Sequence, residues 1–168
     1  MRTVRLEKIT LNVGAGKEQK KLEKGIALLK SITGIQPLQT VAKKRIPSWG
    51  LRPGLPIGCK ITMRKLQAHE LLKRLLEAKD NKLMPTQFDD NGNIAFGIPE
   101  YIDIPGVKYE PEIGVMGFEV CVTLERPGYR IRKRRIMKRK IPTRHRVAKE
   151  DAMQFMQENY NVKVSEAE

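Results

Sequence analysis

Apolar and polar residues alternate in several short runs of this chain. Ile9, Leu11 and Val13 alternate with Lys8, Thr10 and Asn12. Ile57, Cys59, Ile61 and Met63 alternate with Lys60, Thr62 and Arg64. From Val115 to Leu124 the apolar set is Met116, Phe118, Val120, Val122 and Leu124. A period of two sends successive side chains to opposite faces, so each run predicts a strand with one apolar and one wet face. Gln36–Val41 reads as a short edge strand limited by Pro37. Asp90-Asn91-Gly92 is a turn signal between Phe88 and the Ile94–Ile98 run and predicts a hairpin.

Helical spacing appears three times. Leu22, Ile26, Leu29 and Ile32 mark a helix over about Lys17–Thr33, with Gly34 as its C-cap. Leu71, Leu72, Leu75, Leu76 and Ala78 mark a second over about Gln67–Lys79. Ala152, Phe155, Met156 and Tyr160 mark a last one over about Lys149–Tyr160, with Glu150 and Asp151 in the first turn, where the helix dipole favours acids. Lys82–Gln87 reads as a connection and Asp103–Glu112 as irregular. Strands with one apolar face suit an α+β, two-layer fold: a mostly antiparallel sheet, helices on one face and the other face open. With 168 residues and no clear linker or repeat, one domain over 1–168 is expected.

Charge turns this outline towards function. The net charge is +14, which points to an anionic partner, nucleic acid first and a membrane surface second. The charge is segregated. Residues 24–69 carry nine Lys and Arg and no acid, and 130–146 carry ten and again no acid. Residues 75–125 carry three basic residues against ten acidic ones. A basic loop, about 42–58, holds Lys43, Lys44, Arg45, Ser48, Trp49 and Arg52 among prolines and glycines that forbid a continuous helix or central strand. Its Trp49 offers either a stacking surface for a base or an anchor on the core. A basic arm, about 129–146, holds Arg130, Arg132, Lys133, Arg134, Arg135, Lys138, Arg139, Lys140, Arg144 and Arg146. Pro142 and the Tyr129/Ile131 alternation favour an extended arm over a helix, and phosphates would relieve its self-repulsion. Lys8, Thr10, Asn12, Lys60, Thr62 and Arg64 on the wet strand faces combine cations with hydrogen-bonding groups, the mixture that meets phosphates, sugars and base edges.

Catalytic and metal readings find no support. Gly14-Ala15-Gly16-Lys17 sits between a strand and a helix, but the positions that a phosphate loop needs for Gly and Ser/Thr hold Leu11 and Glu18. Asp89 and Asp90 lack the ligand spacing of a calcium loop. Cys59, Cys121, His69 and His145 make no zinc set, and no nucleophile–base arrangement is visible. No cofactor is expected. Two isolated thiols on apolar strand faces suit a reduced, cytosolic setting. No run reaches the roughly 18 apolar residues of a membrane span, and the basic zones are loop and strand rather than amphipathic helix, so no membrane partner is expected.

LEKITLNVGAG, PGLPIGCKITMR, FDDNGNIAFGIPEYI, GFEVCVTLERPGYRIRKRR and HRVAKEDAMQFMQENY, in that order, resemble the large-subunit ribosomal protein five family. The short stretch before the first strand and the extra basic segment before the last helix resemble its archaeal and eukaryotic branch. The resemblance implies a non-enzymatic, structural protein of the cytoplasmic ribosome. It would bind 5S rRNA through the open sheet face and help attach it to large-subunit rRNA in the central protuberance. The family's RNA-contacting Asn, Thr and Arg fall on Asn12, Thr62 and Arg64. Its Gln after the first helix maps to Gln36 only with a one-residue shift, which in a strand would turn the side chain to the other face. The loop around Ser48–Leu55 matches the tip that in the family reaches P-site tRNA. Family members also bridge to a basic small-subunit protein, and the acidic zone with Glu100, Asp103, Glu110 and Glu112 is the surface that charge segregation offers for it.

Overall fold

In the computed structural model, residues 1–165 are described. In chain order they form β1 (Arg5–Gly14), α1 (Gln19–Thr33), β2 (Leu38–Val41), β3 (Pro56–Met63), α2 (Lys65–Glu77), β4 (Lys82–Leu83), β5 (Asn93–Ile98), β6 (Phe118–Glu125), α3 (Arg130–Lys133), α4 (Lys149–Tyr160) and β7 (Lys163–Val164). Five strands make a mostly antiparallel sheet in the order β2-β3-β1-β6-β5, and β4 and β7 make a separate parallel pair. The fold is α+β, as the strand and helix patterns predict. The chain forms two compact units. One holds Met1–Ile9, Arg64–Phe96 and the chain from Cys121 onward; the other holds Thr10–Met63 and Gly97–Val120.

In the unit that contains α1, burial follows the alternation. Leu11 and Val13 of β1, Cys59, Ile61 and Met63 of β3, and Phe118 and Val120 of β6 are buried. α1 packs on β3. Its buried stripe is Leu22, Gly25, Leu28, Leu29 and Ile32. Ile26, expected on that stripe, is only half-buried. Gly25 takes the close approach instead: a Cβ there would lie 2.9 Å from Val13 Cγ1 and 3.2 Å from Cys59 Sγ. β2 pairs antiparallel with β3 and ends in an irregular register at Thr40/Val41. Gly34 caps α1 in the left-handed conformation, its N–H bonded to the Lys30 carbonyl at 2.7 Å.

In the other unit, α2 buries Ala68, Leu71, Leu72, Leu75 and Leu76. At about 1.5–3 kcal/mol per buried leucine, that burial, more than intrinsic propensity, holds so short a helix. α4 buries Ala152, Met156 and Tyr160. Tyr160 joins α4 to α2 through a 2.6 Å hydrogen bond between its hydroxyl and His69 Nδ1, and burial pushes its phenol up to about 12. Asp151 Oδ2 accepts the Ala148 N–H at 2.9 Å and an N–H of Arg126 at 2.7 Å, tying the first turn of α4 to the end of β6. The expected hairpin is present: Phe88 pairs with Ile94, the Asp89 N–H donates to the Asn93 carbonyl at 2.8 Å, and Gly92 takes φ 72°.

Two expectations need correction. Lys82–Gln87 is not a plain connection, because Lys82–Leu83 forms β4 against β7. Two-residue strands are too short to show a period. The basic arm is not extended throughout. It opens with the helical turn Arg130–Lys133 and closes with a 3₁₀ turn at Thr143–His145. A two-residue alternation over Tyr129–Ile131 cannot separate strand from helix, and Pro142 restrains only its own neighbourhood. Buried Tyr129 decides the path. Its hydroxyl accepts the Val147 N–H at 2.9 Å and donates to the His145 carbonyl at 3.3 Å, which closes the arm on itself.

Candidate nucleic-acid interface

β1 buries Leu6, then Ile9, Leu11 and Val13, so its alternation changes phase between Leu6 and Ile9. From Ile9 on, Thr10 and Asn12 fall on the wet side, each half-buried. On β3, Lys60 and Thr62 are exposed between buried Cys59, Ile61 and Met63. Arg64 follows with extended backbone (φ −140°, ψ 168°), so it continues the strand's alternation, and its side chain is 54% exposed. Lys65 then takes a left-handed φ of 59°, uncommon for a lysine, as the chain turns into α2. Asn12, Thr62 and Arg64 therefore stand where the alternation predicts. Cys59, on the buried side of β3, is a free thiol that burial pushes up to about 11, which makes it inert at neutral pH.

The wet side also holds carboxylates that the sequence reading passed over. Glu7 of β1 has a side chain only 7% exposed and pairs with Arg64 at 3.3 Å and with Lys133 of the arm. Lys133 also reaches Glu125 at 3.1 Å, and Glu125 accepts two hydrogen bonds from Arg5, at 2.7 and 3.1 Å. The result is a chain Arg64–Glu7–Lys133–Glu125–Arg5 in which three cations outnumber two carboxylates. Burial works to raise the Glu7 carboxyl, but the hydrogen bond and charge of Lys133, a hydrogen bond from Arg64 and the charge of Lys8 hold it below the usual carboxylate range. Asn12 Nδ2 lies 3.5 Å from Glu119 Oε2, a long hydrogen bond. These acids were legible: Glu7 neighbours Lys8, and Glu119 and Glu125 occupy the wet positions of β6. The network orients Arg64, while exposure leaves the guanidinium open to a further acceptor. Lys8 lines an open groove of about 750 Å³ with Asp89, Asn93, Cys121, Thr123 and Arg132.

The basic loop has a fixed backbone. Ile46 and Leu51 exchange two 3.0 Å hydrogen bonds around a 3₁₀ turn at Pro47–Trp49. Below it, the Ala42 N–H bonds the Leu55 carbonyl at 2.9 Å and the Gly54 N–H bonds the Ala42 carbonyl at 3.0 Å. Ala42 and Leu51 are buried and anchor the loop. Trp49 is 65% exposed, so of its two readings the core anchor is excluded. Lys43, Lys44, Arg45, Ser48 and Arg52 are exposed around it, and Gln36 is exposed ahead of β2. Lys17, which belongs to the discarded phosphate-loop pattern, sets its ammonium against Gly50 of this loop. The N–H groups of Ala15 and Gly16 both bond the Ile57 carbonyl, at 2.9 and 3.0 Å, so the turn before α1 presents neither to a phosphate.

In the arm, Arg134 and His145 are half-buried, Arg146 donates to the Ile141 carbonyl at 3.3 Å, and the other cations are exposed. Ile141 is buried, whereas Ile136 and Met137 project at 76% and 69% exposure. Glu100, Asp103 and Glu112 of the acidic zone are exposed beside exposed Ile102, Tyr109 and Val115. Glu110 is half-buried and accepts the Ser31 hydroxyl at 2.9 Å. Among the described residues no cluster of His, Cys, Asp or Glu could hold a metal ion, and no helix is long and apolar enough to cross a membrane.

Comparison with known proteins decides the family. Residues 1–52 match the family profile described as ribosomal protein L5, and residues 56–163 match the profile of the same ribosomal family's C-terminus. The chain belongs to the ribosomal protein L5 family. It is 50% identical over 165 residues to the large ribosomal subunit protein uL5 of Nanoarchaeum equitans, covering 98% of this chain and 97% of the relative. To the same-named protein of Sulfurisphaera tokodaii it is 46% identical over 167 residues, covering 99% and 94%. To that of Pyrobaculum aerophilum it is 44% identical over 164 residues, covering 98% and 92%. The protein is thus a structural, non-enzymatic constituent of the large ribosomal subunit, placed among rRNA and ribosomal proteins.

The Glu7 network yields a pH prediction. A carboxyl whose pKa is depressed on folding stabilises the fold above its unfolded value, about 4.3, and loses that contribution as pH falls through the lower folded value. Glu7→Gln is expected to cost about 1 kcal/mol at pH 7, since both of its partners are partly exposed. In urea titrations the gap between wild type and Glu7→Gln should narrow progressively as pH falls below the unfolded value of about 4.3. A gap that stays constant down to about pH 3 would refute the assignment.

Proposed function

We propose that the wet side of the sheet binds 5S rRNA, with Asn12, Thr62 and Arg64 as the selective contacts and Lys8, Thr10 and Lys60 supporting them. The carrying observation is that these side chains stand on the solvent side of strands whose other side is buried. Thr and Asn give directional hydrogen bonds to sugar hydroxyls and base edges, and Arg64, steered by Glu7, gives a planar fork for phosphate or guanine. The arm and the basic loop add attraction that does not depend on sequence. In this reading residues 1–168 act as one RNA-binding domain, which ties 5S rRNA to the large-subunit rRNA in the central protuberance of the cytoplasmic ribosome. The fixed loop, with exposed Trp49 between Arg45 and Arg52, is suited to contact P-site tRNA, its indole stacking on a base or ribose. Gln36 has no assigned role.

The acidic surface at Glu100, Asp103, Glu110 and Glu112 is the candidate contact for a basic small-subunit protein at an intersubunit bridge. Its exposed Ile102, Tyr109 and Val115 support that reading, because an interface core wants apolar area inside a charged rim.

Two experiments test these assignments. Thr62→Ala with Arg64→Ala is expected to lower the preference for 5S rRNA over tRNA or unrelated duplex RNA by roughly tenfold or more. Lys138→Ala with Arg139→Ala should weaken binding to all three RNAs, cost less of the preference for 5S rRNA than the first pair does, and flatten the salt dependence by about two phosphate contacts. Equal loss of preference in both pairs would remove the sheet side as the selective reader. Reversing Glu100, Asp103 and Glu112 to Lys should weaken subunit association most at low salt. Unchanged association at low and moderate salt would remove the acidic surface from the bridge.

A further inference from the structure

The arm encloses a cleft of about 500 Å³ that the sequence did not foreshadow. Its cationic side chains are Arg132, Lys138, Arg139, Lys140 and Arg146. All five are exposed and form its rim. Leu124, Tyr129 and Ile141 also line it, and all three are buried, so they form an apolar floor. Asn91 and Asn93 of the β-hairpin, with Thr123 of β6, complete the wall. No lining residue is acidic. The volume lies within the roughly 300–1,000 Å³ of pockets that enclose a small ligand.

Three features narrow the ligand. A cationic rim over an apolar floor calls for a flat, greasy body carrying an anion. The guanidinium of Arg132 lies 5.8 Å from the Tyr129 ring centroid, and such a plane is a surface on which nucleobases stack. Asn91 and Asn93 both donate their amide N–H to Asp89 Oδ2, at 3.3 and 3.2 Å. Those two bonds, which also hold the Asp89 carboxyl below its usual range, fix the amides and leave their carbonyl oxygens to accept from a base. Arg132 also lines the groove that contains Lys8, so a strand lying along that groove reaches the mouth of the cleft.

We propose that this cleft receives one unpaired nucleotide of RNA, its base over the apolar floor and its phosphate on the Arg and Lys rim. The inference rests on the RNA-binding reading above and adds to it a site for a single nucleotide outside the Asn12, Thr62 and Arg64 set. A base held in a duplex is covered by its neighbours and cannot enter, so the cleft distinguishes bulged or looped RNA from paired RNA.

The full chain would be titrated at about 0.15 M salt with two RNA hairpins identical except for one bulged nucleotide, and separately with adenosine and guanosine monophosphate. Thr123→Phe and, as a second variant at the exposed turn, Asn91→Phe would fill the cleft without changing charge. Wild type should prefer the bulged hairpin by roughly tenfold, a difference of about 1.4 kcal/mol. Both variants should bring that preference close to one, and Asn91→Phe, which lies outside the groove that contains Lys8, should leave affinity for the paired hairpin in place. Equal binding of the two hairpins by wild type, or a preference that survives both fillings, would overturn the cleft while leaving RNA binding intact. Free monophosphates that bind more tightly than the bulged hairpin would overturn RNA as the source of the nucleotide. Failure to bind either hairpin would overturn the RNA-binding reading and the cleft together.

Discussion

A pleated strand can send each side chain to only one of two sides. Burying Leu11 and Val13 therefore delivers Asn12 to the other side, and burying Ile61 and Met63 delivers Thr62 and, through the extended backbone at Arg64, its guanidinium. Slipping either strand by one residue would exchange greasy and polar sets at a cost of several buried apolar side chains, each worth about 1.5–3 kcal/mol. Close approaches lock the register. A Cβ on Gly58 would lie 2.5 Å from the Val13 carbonyl oxygen, and Gly25 brings α1 against Val13 and Cys59. The energy that holds the core thus also aims the polar side.

That polar side is not a uniform carpet of cations. Glu7 and Glu125 lie among Arg5, Arg64 and Lys133, and the alternation of sign gives each long side chain a fixed partner. Unpaired carboxylates would repel a phosphate backbone; paired ones leave a small positive excess and hold the cations in place. Lys133 gives the network reach, because it belongs to the arm and touches carboxylates of β1 and β6. The arm is consequently part of the fold at its root, through Lys133 and Tyr129, and exposed at its tip, at Ile136 and Met137.

Most of this architecture could be read from residues alone wherever one period ran long enough. The Ile9–Val13 run of β1, the fifteen residues of α1 and the twelve of α4 each keep one period throughout, and the limits of these elements agree with the expected ones to within a few residues. Legibility ended where structure depends on partners distant in sequence. β4 and β7 exist only because Lys82–Leu83 meets Lys163–Val164. The helical turn at Arg130–Lys133 depends on a tyrosine hydroxyl bonded eighteen residues downstream. The choice between two fates for Trp49 needed the knowledge that Leu51 already anchors the loop. The sheet-side residues themselves were legible because a strand face is a local property. The acids beside them were equally local, but the large positive excess around them hid their part in the pattern.

The most direct measurement is site-specific photo-cross-linking in a reconstituted complex with 5S rRNA. Thr62→p-benzoylphenylalanine places the probe on the wet side of β3, and Ala27→p-benzoylphenylalanine places it on the exposed side of α1. The account predicts an RNA cross-link from position 62 and none from position 27. Cross-linking from position 27 with none from position 62 would contradict it.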